Sequence, residues 1–236
     1  MRYGVIIFPG SNGDHDALKA VELGLGEEAV AIWHKETTVE GCDALLIPGG
    51  FSYGDYLRAG AIARFSPIMD AVTEFANAGG PVLGICNGFQ ILTEAQLLPG
   101  ALLRNGSLSF VCDWINVRVE SDRTPFTAEL DPGTVLRLPI AHGQGRYFVT
   151  EDQLSELEAN DQVVFRYADA RGEVHDDHNP NASVGHIAGV CNERGNVVGL
   201  MPHPERAYDA TIGGDEGLQL LGAVARQLTT AGTVRA

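Results

Sequence analysis

One cysteine sits where a nucleophile would be built. Residues 84–88 read Gly84-Ile85-Cys86-Asn87-Gly88, straight after the apolar Pro81-Val82-Leu83. Glycines two positions either side of a cysteine, closing an apolar run, are what a strand-turn-helix nucleophile elbow requires. Its central residue occupies strained backbone, and larger neighbouring side chains would collide. The turn lifts the sulfur out of the sheet to a helix N-terminus, where the dipole and free amides favour the thiolate, the reactive form. The same residues also fit a buried cysteine between turn glycines, because free cysteine is among the most buried residue types. Its partners must decide.

A cysteine nucleophile needs a base, and the base needs an orienting acceptor. His203 and Glu205, in Met201-Pro202-His203-Pro204-Glu205, form the best pair. The two prolines are expected to hold this segment extended, so that residues two apart project to one side. Alone, the stretch also reads as a surface turn; beside an elbow cysteine the catalytic reading prevails. His142, in the Gly-rich stretch 141–146, ranks second as base because no carboxylate lies near it in sequence. His15, His34, His175, His178 and His186 read as solvated or structural. An acyl-transfer mechanism further requires donors for a developing oxyanion. The amide of Asn87 follows the nucleophile, and Gly49-Gly50 supplies a second place where a backbone N–H can approach a substrate closely. Gly10-Ser11-Asn12-Gly13 hints at phosphate binding, but no lysine follows and the P-loop spacing is absent.

The elements that must position these residues read as a parallel sheet covered by helices. Strands are expected over 3–8, 28–33, 44–47 and 82–85, and helices over 14–25, 61–78 and 88–95. From about residue 102 the texture turns β-rich, with strands over 110–119, 135–138, 147–149, 163–167, 185–190 and 197–201. A closing helix is expected over 215–228. The loops after residues 8, 47 and 201, and Cys86 itself, all follow strands, and in an open parallel sheet ligands bind beyond the carboxyl ends. All four should face one crevice. Without repeats or long linkers, residues 1–236 read as a single domain.

Composition excludes several classes. The 236 residues carry a net charge of −15, with only Lys19 and Lys35 as lysines, so no basic stripe exists for nucleic acid. Cys42, Cys86, Cys112 and Cys191 are scattered, without metal-ligand spacing or a disulfide pattern. A reactive cysteine is best kept reduced, which suits the cytoplasm. The N-terminal apolar stretch meets Pro9-Gly10 too early to be a signal peptide, and no apolar run is long enough to span a membrane.

Elbow, Pro-Gly-Gly loop and His-x-Glu together resemble the class I (triad) glutamine amidotransferases. Finer motifs narrow the resemblance: Phe8-Pro9-Gly10-Ser11-Asn12, Pro48-Gly49-Gly50-Phe51-Ser52-Tyr53-Gly54-Asp55, Gly84 to Gln90, Pro139-Ile140-Ala141-His142-Gly143, Asn179-Pro180-Asn181 and Pro202-His203-Pro204-Glu205-Arg206. They are similar to those of the glutaminase subunits of phosphoribosylformylglycinamidine synthases, over nearly the whole chain. The resemblance implies a flavodoxin-like, mostly parallel α/β sheet with additional strands, and hydrolysis of glutamine to glutamate and ammonia. It implies Cys86 as nucleophile, His203 as proton shuttle, Glu205 as its orienter, Gly50 and Asn87 as oxyanion donors, and Gln90, Asn105 and Ser107 as substrate-binding residues. No cofactor is implied in this chain. ATP and Mg would belong to a large synthetase subunit, joined by a small accessory subunit. Two departures stand out: Gly13 where many relatives have cysteine, and Gln144 where glutamate is common. Two other readings stay open, a cysteine peptidase or deglycase-like enzyme and a non-catalytic sensor of glutamine or a partner.

Overall fold

The computed structural model describes residues 1–233. Eleven strands and five α-helices follow in chain order. They are β1 (Arg2–Ile7), α1 (Asp14–Lys19, continued by a π-helical stretch Ala20–Leu25), β2 (Glu28–Trp33), β3 (Ala44–Ile47), α2 (Ile68–Asn77), β4 (Val82–Ile85) and α3 (Asn87–Glu94). Then come β5 (Ala101–Leu103), β6 (Val111–Val119), β7 (Val135–His142), β8 (Arg146–Phe148), α4 (Glu151–Ala159), β9 (Val163–Ala168), β10 (Ile187–Cys191), β11 (Val197–Leu200) and α5 (Gly217–Thr233).

Nine strands form one sheet in the order β2-β1-β3-β4-β11-β10-β9-β6-β7. The first five are parallel to their neighbours, in the flavodoxin-like order. The rest extend the sheet antiparallel. Strands β3, β4 and β11 are buried at every residue, as strands covered on both faces must be, and so they read as unbroken apolar runs rather than alternating ones. Residues β4 presents at its carboxyl end therefore rise from the middle of the sheet, between the loops that leave β3 and β11.

The strand expectations hold to within a few residues, with three instructive differences. The helix expected over 61–78 begins only at Ile68. Ser66 precedes Pro67 and is extended (ψ 142°), because a proline disfavours helical backbone at the residue before it. Residues Ala63–Phe65 form a separate 3₁₀ turn. The strand expected over 135–138 continues through Pro139 to His142; β7 is an edge strand, where a missing N–H costs little. Helix α4 was not expected at all. Its N-terminus carries a capping box, in which Thr150 accepts from the Gln153 amide and the Gln153 side chain accepts from that of Thr150.

Candidate active site

Cys86 ends β4 and caps α3 with φ 52° and ψ −103°, backbone that costs a non-glycine residue on the order of 1–3 kcal/mol. Its surroundings leave no alternative. A Cβ on Gly84 would lie 2.5 Å from Leu92 Cδ1, and one on Gly88 would lie 1.9 Å from the Ile47 carbonyl oxygen. Both elbow glycines are therefore steric requirements of packing α3 against β3 and β4. The cysteine is buried, with its sulfur 3.8 Å from the Ala141 carbonyl on β7.

His203 and Glu205 approach from the loop after β11. The expected extended segment is not what brings them together. His203 has φ −108° and ψ 84°, and Pro204–Arg206 form a 3₁₀ turn, because a proline at the first position of a helical turn loses no hydrogen bond. Over that turn Glu205 Oε1 reaches His203 Nδ1 at 2.6 Å, with both side chains buried. The His203 amide donates to the Pro139 carbonyl at 2.8 Å, which ties the base to β7. Burial alone would disfavour the imidazolium. The Glu205 carboxylate, joined by the Cys86 sulfur, outweighs it and raises His203 to about 10. His203 Nε2 is buried without a hydrogen-bond partner. A Cβ on Gly49 would lie 2.6 Å from His203 Cε1 and 3.6 Å from Cys86 Cβ, so this glycine leaves open the space between base and sulfur.

The Gly-rich loop after β1 serves the loop after β3. The amides of Asn12 and Gly13 both donate to the Gly49 carbonyl, at 3.1 and 3.0 Å, and Phe51 donates to the Gly10 carbonyl at 2.9 Å. Those amides are thus spent within the chain, not on a phosphate. A trans peptide sets C=O and N–H in opposite directions, so the Gly50 N–H is turned away from residues 12–13. Among the described residues, no acceptor takes the N–H of Gly50 or of Asn87. A Cβ on Gly50, at φ 151°, would lie 2.7 Å from the Gly10 oxygen.

The remaining site residues separate into three situations. Gln90 is buried: its Oε1 accepts from Asn87 Nδ2 at 2.8 Å and its Nε2 donates to the Gln144 carbonyl at 2.6 Å. Asn87 Oδ1 in turn accepts from the Ser52 amide at 3.0 Å, linking helix, the loop after β3 and the 144 loop. Asn105 is fully buried, and its side chain is spent inside the chain. It donates to the Ser109 and His142 carbonyls and accepts from the Gly145 amide and the His142 ring. Ser107 lies in an exposed turn and bonds only Ser109. His142, the second-ranked base, faces Asn105 rather than a carboxylate. Burial, and the charge of His203, push it down to about 4, so it stays neutral.

A family model for the CobB/CobQ-like glutamine amidotransferase domain matches residues 1–214. Phosphoribosylformylglycinamidine synthase subunit PurQ of Thermomicrobium roseum is 68% identical over 224 residues, covering 95% of each chain. The subunit of that name from Moorella thermoacetica is 55% identical, also over 95% of each. A chain of the PurLQS structure from Thermotoga maritima superposes with a TM-score of 0.85 at 43% identity, covering 96% of this chain and 98% of that one. The chain belongs to the PurQ family of glutamine amidotransferases.

Both departures from the PurQ pattern have a local meaning. A Cβ at Gly13 would lie 3.1 Å from Glu205 Oε1 and from the Gly49 amide, so this residue packs against the carboxylate that bonds His203. Gln144 contributes its backbone carbonyl to Gln90, a link indifferent to its side chain. Two polar clusters beside the site were not read from sequence as clusters, although Asn181 and Tyr53 stand in recognisable motifs. Asn181 and Ser183 tie the 145 loop down, through Asn181 Nδ2 to the Gly145 carbonyl at 2.8 Å and the Tyr147 amide to Ser183 Oγ at 2.9 Å. His34, Tyr53 and Ser66 meet beside the loop after β3. In sequence they are 13 to 32 residues apart, and only Tyr53 belonged to a recognisable motif.

Proposed function

We propose that this chain is the glutaminase subunit of a phosphoribosylformylglycinamidine synthase and that Cys86, His203 and Glu205 are its catalytic residues. The observation that carries the assignment is the pairing of an elbow cysteine with a buried His203–Glu205 hydrogen bond of 2.6 Å across Gly49. The sulfur attacks the side-chain carbonyl carbon of glutamine, and the oxyanion so formed takes the N–H groups of Gly50 and Asn87. His203, held protonated by Glu205, gives its proton to the departing ammonia, leaving a glutamyl thioester on Cys86. A water molecule then gives its proton to His203 and attacks the thioester. Glutamate leaves, and the sulfur and imidazole return to their starting state. Gln90 orders the wall of the substrate pocket, and the exposed 106–110 turn, with Ser107, forms its rim beside the buried Asn105.

In this reading the ammonia passes to a large synthetase subunit, assembled with a small accessory subunit as the name PurLQS conveys for the Thermotoga maritima structure. That partner uses ATP and Mg to convert formylglycinamide ribonucleotide to its amidine in purine synthesis, in the cytoplasm. Residues 1–236 act as one amidotransferase domain. Among the described residues no helix is long and apolar enough to cross a membrane. The test is glutamate release by the chain assembled with its partner subunits. Cys86→Ala should lower the rate by roughly 10⁴-fold or more, as expected for loss of a nucleophile, with the fold intact. An unchanged rate would sink the mechanism.

A further inference from the structure

Directly after the Gly49-Gly50 pair the backbone enters an improbable run. Tyr53 (φ 52°), Gly54 (φ 69°) and Asp55 (φ 53°) are successive left-handed residues, and for each non-glycine residue that conformation costs roughly 1–2 kcal/mol. Such a run persists only where its surroundings over-determine it. Part of the support is backbone: the Tyr53 amide donates to the Pro9 carbonyl at 2.7 Å and that of Gly54 to Phe51 at 2.7 Å. The rest is a side chain. Tyr53 Oη lies 2.7 Å from His34 Nδ1 and 2.8 Å from Ser66 Oγ.

These partners come from places far apart in sequence, His34 from the turn after β2 and Ser66 from the residue before Pro67. His34 is buried, its ring edge-on to Trp33 at 4.5 Å and to Tyr53 at 5.6 Å. Its amide donates to the Ile7 carbonyl, and its own carbonyl accepts from the Ile68 amide. It is thereby fixed to β1 and α2 and cannot follow the loop if the loop moves. Burial, with help from Lys35, lowers His34 from its ordinary value.

We propose that Tyr53 is a positioning residue for glutamine hydrolysis: its hydroxyl, clamped between His34 and Ser66, holds the left-handed turn that aims the Gly50 N–H at the oxyanion. The clamp acts three residues from Gly50 and touches neither Cys86 nor His203. It rests on the glutaminase reading above and adds a residue to that machinery.

The clamp separates two rates. Glutamine hydrolysis needs the oxyanion donor, whereas alkylation of Cys86 by iodoacetamide is a displacement at carbon that needs only the reactive sulfur and its histidine. In the assembled complex, Tyr53→Phe should lower kcat for glutamate release by roughly 10- to 100-fold, the range for a misplaced oxyanion donor, with KM for glutamine within about twofold. The alkylation rate should match wild type. Ser66→Ala, which keeps the His34 contact, should lose less. His34→Gln, which retains a polar partner for the hydroxyl, should recover most of the activity that His34→Leu loses. An undiminished kcat in Tyr53→Phe would overturn the clamp, and so would a parallel fall in alkylation, which marks general collapse of the site. A wild-type complex that releases no Cys86-dependent glutamate would overturn the glutaminase reading itself. Active wild type with an indifferent Tyr53 overturns the clamp alone.

Discussion

The two flanks of Cys86 are built on opposite principles. On one side His203 and Glu205 are buried, joined at 2.6 Å, and tied by a backbone bond to β7. On the other, the loop that begins at Gly50 runs outward through left-handed Tyr53, Asp55 and Leu57, and leaves Tyr56 75% and Leu57 88% exposed. Asp55 Oδ1 has no partner there, and burial raises its carboxyl to about 6. The flank to which we assign proton transfer is buried and fixed by the fold. The flank to which we assign charge stabilisation is held by loop-to-loop bonds and carries the exposed side chains. In the proposed mechanism the buried pair would move the proton, and the exposed loop would set the peptide group that meets the oxyanion.

Substitutions on each flank can break or sharpen that contrast. The largest effect is expected from Glu205→Gln, which removes the charge that raises His203. Glutamate release should fall by about 10³- to 10⁴-fold, as when an orienting carboxylate is lost, and iodoacetamide labelling of Cys86 should slow as well. Unimpaired labelling would show that the two flanks are not distinct. Gly50→Ala should cost roughly 10²- to 10³-fold in kcat through the misplaced donor, because its Cβ meets the Gly10 oxygen. Labelling should be spared.

Acid gives a third handle. His142 titrates near 4 in the folded chain against an ordinary value of 6.5. Between these values the unfolded chain binds the extra proton, so stability falls as pH drops from about 6.5 towards 4, by about 3 kcal/mol in all. Denaturant unfolding of wild type and His142→Gln at pH 7 and 5 isolates that contribution. Equal pH slopes would contradict the neutral, buried histidine. The smallest effect is expected on the exposed flank, where Leu57→Ala should leave stability within about 0.5 kcal/mol. A larger loss would mean that the loop is packed as firmly as the other side.

What the sequence disclosed follows from locality. The elbow could be read because its glycines and cysteine fall within five residues, although the atoms those glycines clear, on Leu92 and Ile47, do not, and the buried strands because their apolar runs are continuous. His203 and Glu205 were legible as a pair, but the turn joining them was not, since Pro204 allows both an extended chain and the start of a 3₁₀ turn. Helix α4 escaped because it offers only Leu154 and Leu157 to the core, too few for a periodic pattern; its Thr150–Gln153 capping signal was the available cue. The resemblance implied Asn105 as substrate-binding; that its side chain also braces His142 and the 145 loop could not be read, because those contacts lie 37 to 40 residues away. The His34–Tyr53–Ser66 cluster is of the same kind.

The division of labour around Cys86 is tested most directly by measuring two rates on the same chain, free and assembled with its partner subunits: iodoacetamide labelling of Cys86 and release of glutamate from glutamine. A finished proton-moving flank and an adjustable oxyanion flank predict that labelling is equally fast in both states, while glutamate release is slow in the free chain and rises steeply on assembly. Labelling that accelerates in step with hydrolysis, or full hydrolysis by the free chain, would contradict it.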